Sequence, residues 1–174
     1  MKKLLFSFVA IAGLLLFASC GEDRDATTKQ KVDALFSQAE KDVAAVDNFD
    51  NFFAFMEDFK VKKADLNKEI FETYATNDQD AEIPDEVSTY IYDRATAYNQ
   101  VEAKKYTELF TPYVDNIDNA IKAYEESGKK DEALKEAVYS ALEELMEYAN
   151  YDNVEPAMQE RCQALVDKMD ELGL

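Results

Sequence analysis

The sequence predicts an all-α fold, a single-domain bundle of five to seven helices over residues 29–174, and two observations carry that reading. Apolar residues recur at three-four spacing through nearly every segment after residue 25, which sets them on one face of a 3.6-residue helix. Turn formers are scarce: 174 residues include four glycines and three prolines, too few for the tight turns of a β-sandwich or barrel. No stretch alternates convincingly at period two.

The first helix is expected from about Ala26 to Val46, with Val32, Leu35, Phe36, Ala39, Val43 and Val46 on one stripe. Asp47-Asn48 breaks it. Phe49, Phe52, Phe53, Phe55, Met56 and Phe59 then spread over about 160° of a helical wheel, with Asp50, Ala54, Glu57 and Asp58 opposite. An arc that wide suits a helix packed among several neighbours. The pattern thins at Lys60–Lys63 and resumes at Leu66, Ile70 and Tyr74, as one bent helix or two.

Thr76–Glu82 is polar and reads as a loop. Pro84, followed by Asp85 and Glu86, suits the opening turn of a helix, where a missing N–H costs little and acids face the positive helix end. Its stripe is Val87, Ile91, Arg94, Ala95, Tyr98, Val101 and Leu109. Thr111-Pro112 reads as an N-cap and first residue, starting a separate helix through Tyr113, Val114, Ile117, Ile121 and Tyr124 to a C-cap at Ser127-Gly128. Asp131 caps the next, which bears Leu134, Val138, Ala141, Leu142, Leu145 and Tyr148. Asn150–Asn153 reads as a loop, with Asp152 and Glu155 placed to form a capping box. The final stripe is Met158, Cys162, Leu165, Met169 and Leu172.

The formal charge is −18 at pH 7. Nucleic acid is excluded as an expected partner, because phosphate binding needs a basic footprint. A body so acidic is also repelled by anionic lipid and attracts cationic partners.

The N-terminal stretch has a different character. Lys2 and Lys3 precede an almost unbroken apolar run from Leu4 to Phe17, which closes on Phe17-Ala18-Ser19-Cys20-Gly21. A positive start, a short apolar stretch and small residues before a cut site form a secretory signal over residues 1–19. The run is shorter than the ~20 apolar residues that cross a bilayer. Phe17-Ala18-Ser19-Cys20 resembles the lipobox of bacterial lipoproteins, although Phe17 stands where Leu is commoner. The resemblance implies cleavage before Cys20, a thioether-linked diacylglycerol on its sulfur and an acylated amino end. The mature charge would then be −20, since Lys2 and Lys3 leave with the signal. Gly21, Glu22, Asp23 and Asp25 form an acidic stretch behind that Cys and resemble the export signal of surface lipoproteins in Bacteroidota. The implied address is the outer membrane, with the cell-surface face favoured over the periplasmic one. Residues 20–28 are expected to be a lipidated, extended tether.

Chemistry is constrained by what the composition lacks. The chain has no histidine, so Ser-His and Cys-His pairs, imidazole acid–base work and His-dependent metal sites are absent. No catalytic residue, metal site or cofactor is expected. Asp78-Gln79-Asp80-Ala81-Glu82 supplies alternating acids, but Ile83 and Thr89 stand where an EF-hand needs Gly and Glu. Cys162 lies on an apolar stripe and reads as a small hydrophobe. Tyr74, Tyr98, Tyr124 and Tyr148 read as core-edge residues with wet hydroxyls. Tyr92 shares a face with Ser88, Thr96 and Asn99, and Tyr151 falls in a loop; these two are the candidate contacts for a protein partner. The sequence therefore points to a lipid-anchored, non-enzymatic binding or assembly module with a membrane anchor and a protein partner. The alternatives are an apolar-ligand carrier with a Phe-rich pocket and a hydrolase that uses carboxylates alone.

Overall fold

A computed structural model describes residues 23–77, 80–149 and 154–174, with backbone alone over 76–77 and 80–81. The fold is all-α, and five helices account for nearly all the described residues: α1 (Arg24–Ala44), α2 (Phe49–Tyr74), α3 (Asp85–Glu126), α4 (Glu132–Tyr148) and α5 (Pro156–Leu172).

Local chemistry sets most of the boundaries. Asn48 caps α2 by accepting from Asn51 N–H at 2.9 Å. Asp131 caps α4 by accepting from Ala133 and Leu134 N–H. Gly128, at φ 75°, follows the last turn of α3, where Lys129 N–H reaches back to the Tyr124 carbonyl at 3.3 Å. Only glycine takes that backbone without a Cβ penalty. The stripe of α1 buries as expected at Val32, Phe36, Ala39 and Val43.

Four expectations need correction. Helix α1 begins at Arg24 with Asp23 as its N-cap, so residues 24–28 are helix and not tether. The polar stretch after α2 pairs as a small antiparallel hairpin, β1 (Ala75–Asn77) with β2 (Asp80–Ala81), too short to show an alternating pattern. Helix α5 starts at Pro156, with Glu155 extended at ψ 137° and making no side-chain cap bond. A residue before proline is pushed out of the helical region, so Glu155 cannot occupy the third helical position of a capping box.

The fourth concerns Thr111-Pro112. They interrupt nothing: Pro112 lies inside α3, a single helix of 42 residues and about 63 Å. Proline deprives the Glu108 carbonyl of its helical donor, and the general cost in a helix interior is about 3 kcal/mol. The Thr111 hydroxyl turns back to donate to the Thr107 carbonyl at 2.7 Å and caps no helix. Continuity is held by burial on both sides of the proline, because Tyr106, Phe110, Val114, Ile117 and Ile121 form one unbroken core stripe.

Helix α3 is the spine of the molecule. Helix α1 runs parallel to its first half, from Lys29–Glu86 to the Ala44 carbonyl beside Lys105. Helix α2 runs back antiparallel to α1, with Tyr74 against Asp25 and Phe59 against Phe36. Along the second half, α4 folds back antiparallel after the Gly128 turn. Helix α5 then runs parallel to the spine, through Arg161–Asp115 and Lys168–Glu125. The end of α4 meets the start of α2: Tyr148 stacks on Phe49 with centroids 4.3 Å apart and planes 12° from parallel. The two helices thus lie end to end along α3.

That joint is the densest part of the core. Phe49 contacts Phe52, Tyr106, Phe110 and Tyr113 as well as Tyr148, all within 6.5 Å between centroids. Tyr106 donates its hydroxyl to the Tyr148 carbonyl, one of the orphan acceptors at the end of α4. Phe52 is 0% exposed, and Phe55 and Phe59 are also buried, so the Phe-rich segment is filled core. Replacing Phe52 with Ala is expected to cost about 3–5 kcal/mol. Glu57→Ala, on the opposite face, should stay within about 0.5 kcal/mol of wild type. Thermal and denaturant unfolding followed by circular dichroism check both, and a mild Phe52→Ala effect would contradict a filled core.

Candidate partner interface

The side of α1 that faces α3 is fixed by one arginine. Asp33, Ser37 and Glu40 lie on a single stripe of α1, and Arg94 of α3 reaches all three. Its Nε lies 3.3 Å from Asp33 Oδ1, Nη1 2.5 Å from Glu40 Oε1 and Nη2 3.1 Å from Ser37 Oγ. Tyr90 donates to the other Asp33 oxygen at 2.7 Å. The paired carboxylates raise the Arg94 pKa further, so the guanidinium stays charged and acts as a clasp rather than as a free anion site.

One turn beyond this clasp, Tyr98 is wedged between Phe36 and Phe59 and is 1% exposed. Its hydroxyl has no hydrogen-bond partner among the described residues, which corrects the expectation of a wet core-edge tyrosine. Burial, followed by the nearby charges of Glu102, Glu40 and Asp42, pushes its pKa far above the usual value. The other tyrosines expected at the core edge do find partners: Tyr74 donates to Asp25 at 2.8 Å and Tyr124 to the Lys129 carbonyl at 3.2 Å. Tyr106, which the sequence stripe missed, has its pKa pushed up to about 12 by burial. Glu102, missed as well, is buried one turn from both Tyr98 and Tyr106.

The expected contact residues separate. Tyr92 is 70% exposed, on a stripe with exposed Ser88, Thr96 and Asn99. Tyr151 lies outside the described residues. The Tyr92 stripe runs into a cleft of about 340 Å³ where Thr96, Asn99, Gln100 and Ala103 of α3 face Val154, Glu155 and Pro156 at the start of α5. Neither the cleft nor the closing role of Val154–Pro156 was legible in sequence, because both depend on where α5 crosses the spine.

Of the sorting residues, Cys20, Gly21 and Glu22 lie outside the described residues. Asp23 accepts from Asp25 N–H at 3.0 Å, and Asp25 takes the Tyr74 hydroxyl, with Arg24 set over the Tyr74 ring at 4.3 Å. Asp23 therefore caps the start of α1, and Asp25 ties it to the end of α2. Cys162 is a half-buried free thiol whose pKa is raised by burial, the environment of a packing residue.

The other space near the Phe-rich helix is small. Leu35, Ala39, Phe55 and Phe59 border a cavity of about 30 Å³, room for a water and far below a ligand pocket. Among the described residues, no group of His, Cys, Asp or Glu converges to hold a metal ion, and no helix is long and apolar enough to cross a membrane. No protein-family model, curated protein or solved structure matches the chain.

Tyr98 generates a pH prediction with a definite sign. Its folded pKa is raised, so the folded state holds the proton that the unfolded chain releases near pH 10. The stability contributed by this group is complete below pH 10 and is lost as pH rises beyond it. Tyr98→Phe removes both the titration and an unpartnered buried hydroxyl. Melting curves between about pH 8 and pH 11 should show an unchanged or higher melting temperature at neutral pH and a shallower alkaline decline than wild type. An equally steep decline would assign the alkaline loss to other groups.

Proposed function

We propose that this chain is a lipid-anchored, non-enzymatic binding or assembly module at the outer membrane, held through Cys20 and presenting the Tyr92 stripe to a protein partner on the cell-surface face. The observation that carries the reading is the stripe itself. A large, 70% exposed aromatic stands on a row of uncharged polar side chains that leads into a cleft. Exposed tyrosines over adaptable polar groups are the composition of contact surfaces.

The anchor reading supplies an orientation. Helix α1 is capped at Asp23, so only Gly21 and Glu22 separate its cap from Cys20. The start of α3 is bound alongside through Lys29–Glu86. On this reading the spine rises from the membrane, with Tyr92 about 10 Å along it from Asp85. A partner engaging that face would meet the module close to the anchored end.

The test uses the full-length protein in the cells that make it. Mass spectrometry of the mature amino terminus should find an acylated Cys20, and Cys20→Ala should abolish maturation. A benzophenone amino acid in place of Tyr92 should yield a protein adduct on illumination of intact cells, whereas one in place of Glu144, on the outer side of α4, should not. An unmodified Cys20 would overturn the anchor. Failure of position 92 to crosslink any protein would overturn the binding role.

A further inference from the structure

The first half of the spine carries a groove that no described residue fills, and its walls specify what fits. Helix α1 packs on both α2 and α3 in this half, while α2 and α3 meet chiefly through large rings: Phe49 and Phe52 on Tyr106, and Phe59 on Tyr98. At 100° per residue, Phe53, Met56, Lys60, Lys63, Asn67 and Phe71 fall within about 80° on α2. Helical phase sets that flank beyond the α3-facing Phe52, on the side away from Phe55 and Glu69, which meet α1; Phe49 and Tyr74 share the arc and are buried at its two ends, Tyr74 against Asp25 of α1. All six residues are exposed except half-buried Met56, although their flank turns toward α3. The opposite wall, by the same phase argument, is the Tyr92 stripe of α3.

Three of the six exposed large apolar side chains of the described residues, Phe53, Phe71 and Tyr92, belong to this groove. So do Lys60 and Lys63, which form no ion pair with another described residue, in a chain whose formal charge is −18. The acids of this stretch of α2 lie on other faces: Asp58 pairs with Lys62 at 2.7 Å, and Glu69 pairs with Lys31 of α1.

The fold supplies a template for the occupant. In the second half of the molecule α5 lies along α3 on the side away from α1. Val154 and Glu155, just before it, and Pro156, its first residue, close the cleft over Thr96–Ala103. A helix continuing the line of α5 toward the hairpin would cover Tyr92 and lie between α2 and α3. From Phe53 to Phe71 is 18 residues, so the groove is about 27 Å long.

From these features we infer that the α2–α3 groove docks an amphipathic helix of a partner protein, up to about 18 residues long. Its apolar side covers Phe53, Phe71 and Tyr92, and carboxylates on its flank pair with Lys60 and Lys63. The inference rests on the binding-module reading and adds the partner's secondary structure and charge.

A benzophenone amino acid in place of Asn67, in the full-length protein in intact cells, tests it. The adduct, digested and sequenced by mass spectrometry, should map to a segment with helical apolar periodicity and at least two acids on one flank. Lys60→Glu with Lys63→Glu should lower the yield ~10-fold or more, whereas Lys60→Arg with Lys63→Arg should preserve it. A synthetic peptide of the captured segment should bind the purified protein and weaken as salt is raised. A lipid-mass adduct, a captured segment without acids, or a yield indifferent to Lys60→Glu/Lys63→Glu would each overturn the docked acidic helix. So would crosslinking at position 92 with none at 67, a result that leaves the binding-module reading standing. Silence at both positions removes that reading as well.

Discussion

The stacking of Phe49 on Tyr148 is the contact on which the architecture turns. Each half of the molecule is a three-helix packing that uses a different part of α3, and the halves share no other long element. Had α2 and α4 met the spine on different flanks, Pro112 would lie beside an unsupported stretch of helix, and the roughly 3 kcal/mol it costs would favour a break there. Instead the end of α4 and the start of α2 abut over Tyr106, Phe110 and Tyr113, so the residues flanking the proline are packed against rings from both helices. Burial of several aromatic rings, each contributing on the order of 1.5–3 kcal/mol, outweighs one lost backbone hydrogen bond. The Tyr106 hydroxyl on the Tyr148 carbonyl adds a directional element that ring packing lacks.

Register in the first half is set differently, by charge. Arg94 reads Asp33, Ser37 and Glu40, which are spaced so that a one-turn slip of α1 would break at least two of its three contacts. Aromatic packing tolerates small displacements, and a fork of donors does not. The surrounding surface pairs, such as Lys62–Asp58 and Lys122–Asp118, are exposed and individually contribute little. The distinction explains how so acidic a chain holds a defined parallel pairing of α1 with α3, since the selective contact is half-buried and reaches three residues of α1 while most charges remain in water.

What the sequence disclosed followed local rules. The stripes of α1 and α5, the break at Asp47-Asn48, the Asp131 cap and the Gly128 stop all depend on residues within one or two turns, and periodicity or capping chemistry suffices for them. The features it concealed are long-range. Thr111-Pro112 has the local form of a helix start and is overridden by rings from α2 and α4. Tyr106 and Phe110 escaped the stripe drawn through Val101 and Leu109, because one face of α3 serves α1 and another serves α2 and α4. The thinning at Lys60–Lys63 was visible as lost amphipathicity, yet only its place beside α3 turns it into a wall of a groove. Tyr92 stood out because Ser88, Thr96 and Asn99 on its face are polar, a pattern legible without any fold. The cleft at Val154–Pro156 had no such signal.

The asymmetry of the two halves follows from chain connectivity. A short link at residues 45–48 lets α2 return beside α1, and the Gly128 turn lets α4 return beside α3. The third helix of each half then takes whichever flank its connection reaches, and α1 and α5 take opposite ones. Each half therefore leaves one flank of the spine open. Exposed apolar area is costly to keep, so an open flank with no task drifts toward polar residues. The flank bearing Phe53, Phe71 and Tyr92 has not followed that course. It retains exposed rings at three places, and its Lys60 and Lys63 pair with no other described residue in a chain rich in acids. Phe53 also serves the fold, since its ring stacks on Phe49 at the joint, but Phe71, Tyr92, Lys60 and Lys63 belong neither to the joint nor to the Arg94 clasp. A surface kept against both the solubility of its own residues and the charge of its own protein is accounted for by what it meets.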